Sequence, residues 1–435
     1  MDEKARDPHL SWISFAALAS VPFVMVLSNS MIIPVLPDIQ KALDINLFRA
    51  GLLITAFSAT AAAIIPIGGT LSDRLGRRPI ILWGLFLFGL GGLWAGLSPL
   101  LFSRPYLSMM AGRILQGLGA GGMYQVAMAL AGDLVPGPKR VKVLGGLEAA
   151  NGMGKVLSPL MGAAAALIIW YAPFFLYPVL AWGAALLLYA SIPAPNEKGS
   201  QESVSRLFSS LGAIARVKGL PLLTAFLAAS LAIFFLFGVL SLFADRVEKP
   251  FGIKGFAKGL IIAIPVAVLA LTSYTAGTLL QGKLGRWAKV AVGSGLSLLA
   301  LSFVAMFFFT EKLWPFTAAL SLMGLGSGLL LPALNTLITS SVSTRRRGLI
   351  TSLYGSVRFG GAALGPPVYS MAMEAGKAWT FLGSAALAAL TLALSLAFIR
   401  QDQLLKPVPP SPGDPASGEG EAEEREEGRP HGDPF

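Results

Sequence analysis

From residue 12 to residue 399, long apolar runs alternate with short polar breaks, and the pattern occurs twelve times. A helix needs about 20 apolar residues to cross a bilayer, so the pattern predicts an all-α membrane protein with twelve transmembrane helices. The first six cover 12–36, 48–70, 80–101, 107–133, 142–169 and 172–192. The second six cover 219–243, 257–281, 288–309, 314–341, 349–373 and 378–399. The chain is therefore expected to divide into a six-helix half (1–193), a polar cytoplasmic linker (194–218), a second six-helix half (219–400) and a tail (401–435). The linker leaves room for a short amphipathic helix at Val204–Val217. The tail is rich in Pro, Gly and Glu, a composition that cannot bury a core and is expected to be disordered. Ala17–Ala19 resembles a signal-peptidase site, but the apolar run continues past Leu36, which favours an uncleaved first span.

Composition agrees with the pattern. The chain of 435 residues is 54% hydrophobic and 13% charged, with a mean hydropathy of +0.68, whereas soluble domains carry about 25% charged residues. The net charge of +11 comes from Lys and Arg set in twos and threes between apolar runs. That placement reads as topology and anionic-headgroup contact, not as a nucleic-acid surface. Absence of cysteine excludes disulfides, thiolate metal sites and cysteine nucleophiles. The two histidines, His9 and His431, lie near the chain ends, so no metal site and no cofactor is expected within the spans.

Basic residues also set orientation. One set of turns carries Arg74, Arg77, Arg78, Lys139, Arg140, Lys142, Lys198, Arg206, Arg216, Lys218, Lys283, Arg286, Lys289 and Arg345–Arg347. The other set carries fewer, several offset by acids, with four of them (Arg246, Lys249, Lys254, Lys258) between spans seven and eight. Short basic loops stay inside, so both termini are expected in the cytoplasm and the protein in the cell (inner) membrane.

An internal repeat joins the two halves. Gln116-Gly-Leu-Gly119-Ala-Gly121 recurs as Met323-Gly-Leu-Gly326-Ser-Gly328, Lys139-Arg140 as Arg346-Arg347, and Ser158-Pro159 as Gly365-Pro366, all at an offset of 207 residues. Two homologous six-helix halves place a binding cavity at their interface near the bilayer midplane, with alternating access by rocking. A second, degenerate copy of the 2–3 turn has Gly282 where Asp73 stands.

The turn between spans two and three, Gly69-Thr-Leu-Ser-Asp73-Arg74-Leu-Gly76-Arg77-Arg78, resembles the loop motif of the major facilitator superfamily at every key position. Arg113-x-x-Gln116-Gly117-x-Gly119-Ala120 is similar to the family's fourth-helix motif, and Pro34-Val-Leu36-Pro37 to the end of its first-helix motif. The resemblance spans residues 10–400 and is strongest to the twelve-helix drug:proton antiporter branch. That branch's fifth-helix motif is matched imperfectly by Gly154-x-x-x-Ser158-Pro159-x-x-Gly162 and more cleanly in span eleven by Gly361-x-x-x-Gly365-Pro366. The resemblance implies a secondary active transporter, a role for Arg113 in proton coupling, and a conformational latch at Gly69, Asp73, Arg74, Gly76, Arg77 and Arg78 set near the start of span eleven. Many relatives carry an acid in helix one, where this chain has Ser28 and Asn29.

Ionisable groups inside hydrocarbon are costly and usually functional. Four qualify: Arg113, Glu148, Lys155 and Arg358. Glu148 and Lys155 are two helical turns apart and share a face with Asn151, but lie roughly 10 Å apart along the axis, too far for a direct pair. Glu148 is the deep carboxylate and the expected proton carrier; Asp73, Asp133 and no carboxylate at all are the alternatives. Its bland reading is structural, paired with Arg358 or the basic 4–5 loop. Lys155, Arg358, Asn151, Tyr354, Tyr124 and Asn335 are the expected cavity residues. Phe23, Met25, Met31, Phe57, Met123, Gln125, Phe234, Phe235, Phe237 and Tyr274 are weaker ones. Three cations against one anion suit a small anionic or zwitterionic amphiphile, such as an acidic antibiotic, a siderophore or a lipid-linked metabolite.

The expected function is proton-coupled efflux of such a molecule by a monomer with no nucleic-acid partner. Uptake of an organic anion and flipping of a lipid-linked substrate are the alternatives. A membrane enzyme is disfavoured because the spans hold no cluster of acid/base, nucleophile or metal groups. A sensor is disfavoured because linker and tail lack room for a signalling domain.

Overall fold

In the computed structural model, residues 11–135, 139–193, 204–280, 284–341, 347–400 and 404 are described. The expectations for the linker at 194–203, for the tail apart from Leu404, and for Gly282, Arg345 and Arg346 lie outside these residues.

Among the described residues there are fourteen α-helices and no strand. α1 (Trp12–Ser30), a 3-10 turn (Ile33–Val35) and α2 (Leu36–Leu43) form the first span; α3 (Leu47–Leu75) and α4 (Arg77–Leu101) follow. The fourth span is broken into α5 (Tyr106–Ala120) and α6 (Tyr124–Leu134); α7 (Lys139–Ala166) and α8 (Pro173–Ser191) complete the first half. The second half consists of α9 (Val204–Glu248), α10 (Gly255–Leu280), α11 (Leu284–Phe309), α12 (Leu313–Ser340), α13 (Arg347–Ala375) and α14 (Lys377–Phe398). Twelve membrane-spanning elements result. Nine are long and apolar enough to cross a membrane by length and composition alone. The other three are the split α5/α6 and the two helices that carry Glu148, Lys155 and Arg358, so the site residues account for part of their lower hydropathy.

Local chemistry explains the element ends. Ser11 caps α1 by accepting from Ser14 N at 3.0 Å, and Asn46 caps α3 by accepting from Arg49 N at 3.0 Å. Gly76 turns the chain from α3 to α4 at φ 91°, a conformation that other residues adopt only with strain. The helix expected at Val204–Val217 runs straight into the seventh span, interrupted by non-helical backbone at Lys218. Lys218 is buried and donates from Nζ to Ser341 O at 2.8 Å, a cation at the carboxyl end of α12. Hydroxyls inside the spans bond back to carbonyls three or four residues earlier, as Ser98 does to Trp94 and Thr317 to Leu313.

Small residues let the helices close, and the two halves use them alike. A methyl at Gly119 would lie 2.4 Å from Gly84 O of α4, and one at Gly326 2.7 Å from Gly295 O of α11. Gly117 and Gly121 approach α3, as Gly324 and Gly328 approach α10. Gly154 and Gly162 press α7 onto α1, as Gly361 and Gly365 press α13 onto α9. The sequence repeat is thus a repeat of helix contacts.

Two pairs of helices make most of the contact between the halves. α3 and α13 touch along their length, from Gly51 against Pro366, through Thr55 Oγ1 donating to Ala363 O at 2.6 Å and Ser356 Oγ donating to Ala62 O, to Gly69 against Ser352. α7 and α10 meet where Gly259 lies on Ala163 and Gly255 on Leu167. That contact sits at the end of the bundle opposite the α3–α4 turn, here called the distal face.

Gly162→Leu, which drives a side chain into Met31 O 1.9 Å from the glycine's methyl position, should lower stability by at least about 2 kcal/mol. Gly383→Leu, which meets nothing within 4 Å, should leave it unchanged. Thermal unfolding of the detergent-solubilised protein distinguishes the two.

Candidate translocation site

Two polar centres form inside the bundle, and they differ in how well their charges are matched. The first surrounds Arg113 of α5, which is fully buried. Its Nε donates to Leu53 O at 3.0 Å, Nη2 to Asn29 Oδ1 at 3.0 Å, and Nη1 to Gln116 Oε1. The guanidinium lies 4.7 Å over the Phe57 ring. Asn29 is oriented in turn by its own donation to Ser58 Oγ at 2.6 Å. Tyr177 of α8, an electrostatic neighbour of Arg113, donates to Ser28 O at 2.8 Å. These recorded partners are all neutral dipoles drawn from α1, α3, α5 and α8. A guanidinium keeps its charge even when buried, so Arg113 holds four helices of the first half around one fixed cation. Glu148 is not among its recorded partners.

The second centre lies between the halves. On α7, Glu148 is exposed, while Asn151 and Lys155 are half-buried. Tyr124, the first residue of α6, donates to Glu148 Oε1. Asn151 Nδ2 donates weakly to Pro22 O at 3.4 Å. From the second half, Arg358 of α13 lies 5.2 Å over the Tyr354 ring. Tyr354 donates to Leu331 O at 3.3 Å and stacks on Phe226. Lys155 is within electrostatic reach of both Arg358 and Glu148, and Tyr124 and Tyr354 are within reach of both as well. No ion pair within 4 Å joins Glu148 to a cation among the described residues. Arg358 Nε is buried with no hydrogen-bond partner. Five of the expected residues therefore converge, with two cations, one exposed carboxylate and an unused donor.

Other expected residues fall elsewhere. Burial of Arg113 removes it from any open cavity in this state, so the expected three cations against one become two. Met31, Phe57, Met123 and Phe235 are fully buried in helix packing, and Tyr274 is 65% exposed on the flank of α10. Asn335 is half-buried on α12. Gln125 lies against Gly355 of α13, linking the halves beside Tyr124.

The turn motif forms its own network at the hairpin end. Arg77 Nε bonds Asp133 of α6 at 2.9 Å and Nη2 approaches Asp73 at 3.8 Å. Arg78 donates to Tyr189 O of α8 at 2.7 Å and lies 4.9 Å over the Tyr189 ring. Gly69 admits Ser352 of α13, as the expected neighbourhood of span eleven requires.

One charged cluster is not legible in the motifs. Lys258 of α10 is 1% exposed and bonds Asp38 of α2 at 3.0 Å and Glu248 of α9 at 2.5 Å. In sequence it is one of four loop cations; its carboxylate partners lie 220 and 10 residues away.

Known proteins resemble the chain over most of its length. The family model described as Major Facilitator Superfamily matches residues 18–366 and 313–427. A Bacillibactin exporter of Bacillus subtilis (strain 168) is 40% identical over 87% of this chain and 94% of its own length. The class C tetracycline resistance protein of Escherichia coli is 25% identical over 82% of this chain and 88% of its own. Among solved structures, a bacterial homolog of the human lysosomal transporter Spinster, inward-facing and unoccupied, superposes with a TM-score of 0.70 at 17% identity, covering 92% of this chain and 98% of that one. Twelve spans in two repeated halves, the turn motif and these relatives converge: the chain is a membrane transporter, not an enzyme, and belongs to the major facilitator superfamily.

Proposed function

We propose that the protein exports a small amphiphilic metabolite or drug across the cell membrane in exchange for protons, as a monomer with both termini in the cytoplasm. The observation that carries this reading is the juxtaposition of Glu148 and Tyr124 with Lys155 and Arg358 across the two halves. Relatives named as an exporter and as a resistance protein support the outward direction. Orientation draws support from the larger number of Lys and Arg in the turns of the hairpin end, and from the distal face, where Arg246, Lys249 and Lys258 are each paired with an acid.

Electrostatics narrows the cargo. Linkage requires that proton and cargo oppose each other's binding if they are to be exchanged. A purely anionic cargo on Lys155 and Arg358 would bind better when Glu148 is protonated, because neutral Glu148 no longer competes for those cations. Exchange instead needs a cargo whose acidic group meets Lys155 and Arg358 while a basic or donating group meets ionised Glu148. A proton on Glu148 then displaces that group. We therefore favour a zwitterionic amphiphile. Proton-linked uptake of an organic anion is the second reading, and the same cations favour it. Asp73, Arg77 and Asp133 act as the latch of the hairpin end, with Arg74, Arg78, Gly69 and Gly76 shaping the turn around it. Arg113 positions α1, α3, α5 and α8 for the proton step and does not itself carry the proton.

In everted vesicles with a pH-sensitive dye, adding a zwitterionic substrate from a panel should release protons from the vesicle interior. Glu148→Gln, which mimics the protonated carrier, should abolish that response and weaken binding of a zwitterionic substrate. Undiminished exchange in Glu148→Gln would remove the carrier assignment.

Lys155→Ala and Arg358→Ala should each raise KM by about tenfold or more, the loss expected for one hydrogen bond to a charged group. Unchanged KM for acidic substrates in both would refute the cavity assignment.

Asp73→Asn should lower kcat by about tenfold with KM little altered, as loss of an interaction made in only one conformational state requires. A large loss of substrate affinity would instead place Asp73 in the binding site.

A further inference from the structure

At the distal face the halves are joined by charged groups that the translocation site does not use. Lys258, fully buried, donates to Asp38 across the halves and to Glu248 within its own half. Around this triad, Gln40 of α2 donates to Asp245 of α9 at 3.2 Å, and Lys249 bonds Asp245 at 2.8 Å and reaches Gln40 at 3.5 Å. α7 and the residue after it bring only apolar groups, Ala163, Ala166 and Leu167, to the adjoining cavity of about 220 Å³. Arg49 on α3, which packs beside α2, is exposed. Three carboxylates therefore face two lysines.

The triad is asymmetric in two ways. Glu248 lies in the same half as Lys258, so their bond survives when the halves part, whereas the Asp38 bond must break. Glu248 is 13% exposed and Asp38 38% exposed, so water reaches Asp38 first. A buried cation stripped of every partner is strongly unfavourable; Glu248 removes that penalty from opening. Among the described residues, the ion pair that then holds the halves together here is Asp38 with Lys258, beside the hydrogen bonds of Gln40 with Asp245 and Lys249.

We propose that Asp38 is a proton-binding site at the outer mouth: a proton taken from the external water neutralises its carboxylate, frees it from Lys258, and lets the distal face open. The proton returns to external water when the gate recloses, so this site is separate from Glu148. The inference rests on the orientation proposed above and not on the nature of the cargo.

The chain has no cysteine, so Ala166→Cys, on the wall of this cavity, provides a single thiol for a membrane-impermeant maleimide in right-side-out vesicles. In that background Asp38→Asn, which mimics the protonated form, should raise the labelling rate about tenfold, the effect of losing one charged hydrogen bond. Glu248→Gln should lower it, because Lys258 then depends on Asp38 alone. Labelling of the unmodified gate should rise as external pH is lowered, and Asp38→Asn should be insensitive to pH. General loosening would raise labelling in both variants and would overturn the proposal. So would an unchanged rate in Asp38→Asn, or an acid response that persists in it. Labelling from the cytoplasmic side alone would overturn it through the orientation, without bearing on coupling at Glu148, which the dye assay reads separately.

Discussion

A charge in the low-dielectric interior of a membrane protein must find compensation within the protein, and the layout of this chain follows from how each is compensated. Arg113 is surrounded by oriented dipoles from four helices. Such a centre is rigid, because moving any of those helices would strip the cation of part of its solvation. Lys258 is neutralised by carboxylates, one of them borrowed from the other half. The pair Lys155 and Arg358 is left short of negative charge, with only Glu148 nearby. On the proposed function, full, borrowed and deficient compensation correspond to a fixed core, a separable contact and a place for a guest.

Close packing determines which contacts can change. Within each half, glycines bring backbones together at positions where a single methyl would collide, and the same register recurs in both halves. These units move as bodies because they have no slack. Between the halves glycine contacts recur, as at Gly259 and Gly51, but exchangeable polar contacts join them. Side-chain hydroxyls of Thr55 and Ser356 reach across to carbonyls, and ion pairs close the distal face. Hydrogen bonds and ion pairs can be exchanged with water at modest net cost, whereas interlocked backbones cannot. The boundary between the halves is thus distinguished by hydrogen bonds and ion pairs that water can replace.

Much of this was legible in the sequence. Apolar periodicity located the twelve spans, and the offset of 207 residues anticipated that Gly119 and Gly326 would make equivalent contacts. Helical spacing put Glu148, Asn151 and Lys155 on one face. Spacing cannot say what that face meets, however, so Arg113 and Lys155 looked alike as intramembrane cations although one is sealed and the other is not. Lys258, the second residue of the expected span 257–281, falls with the loop cations in sequence, and its partner Asp38 is distant in the chain; the helix begins at Gly255. The break at Gly121–Met123 was hidden in a continuous apolar run, since glycines that favour packing and glycines that permit a bend have the same letter.

That break has a mechanical consequence. Arg113 and Gln116 lie on α5, whereas Tyr124 and Asp133 lie on α6, so the fourth span is two levers joined by a short pivot and not one rod. The upper lever is bolted to the first half through the guanidinium. The lower lever touches the carboxylate of Glu148 at one end and the arginine of the turn at the other. On the proposed coupling, a change of charge at Glu148 reaches the hairpin end through these eleven residues, while the fixed cation above them stays seated.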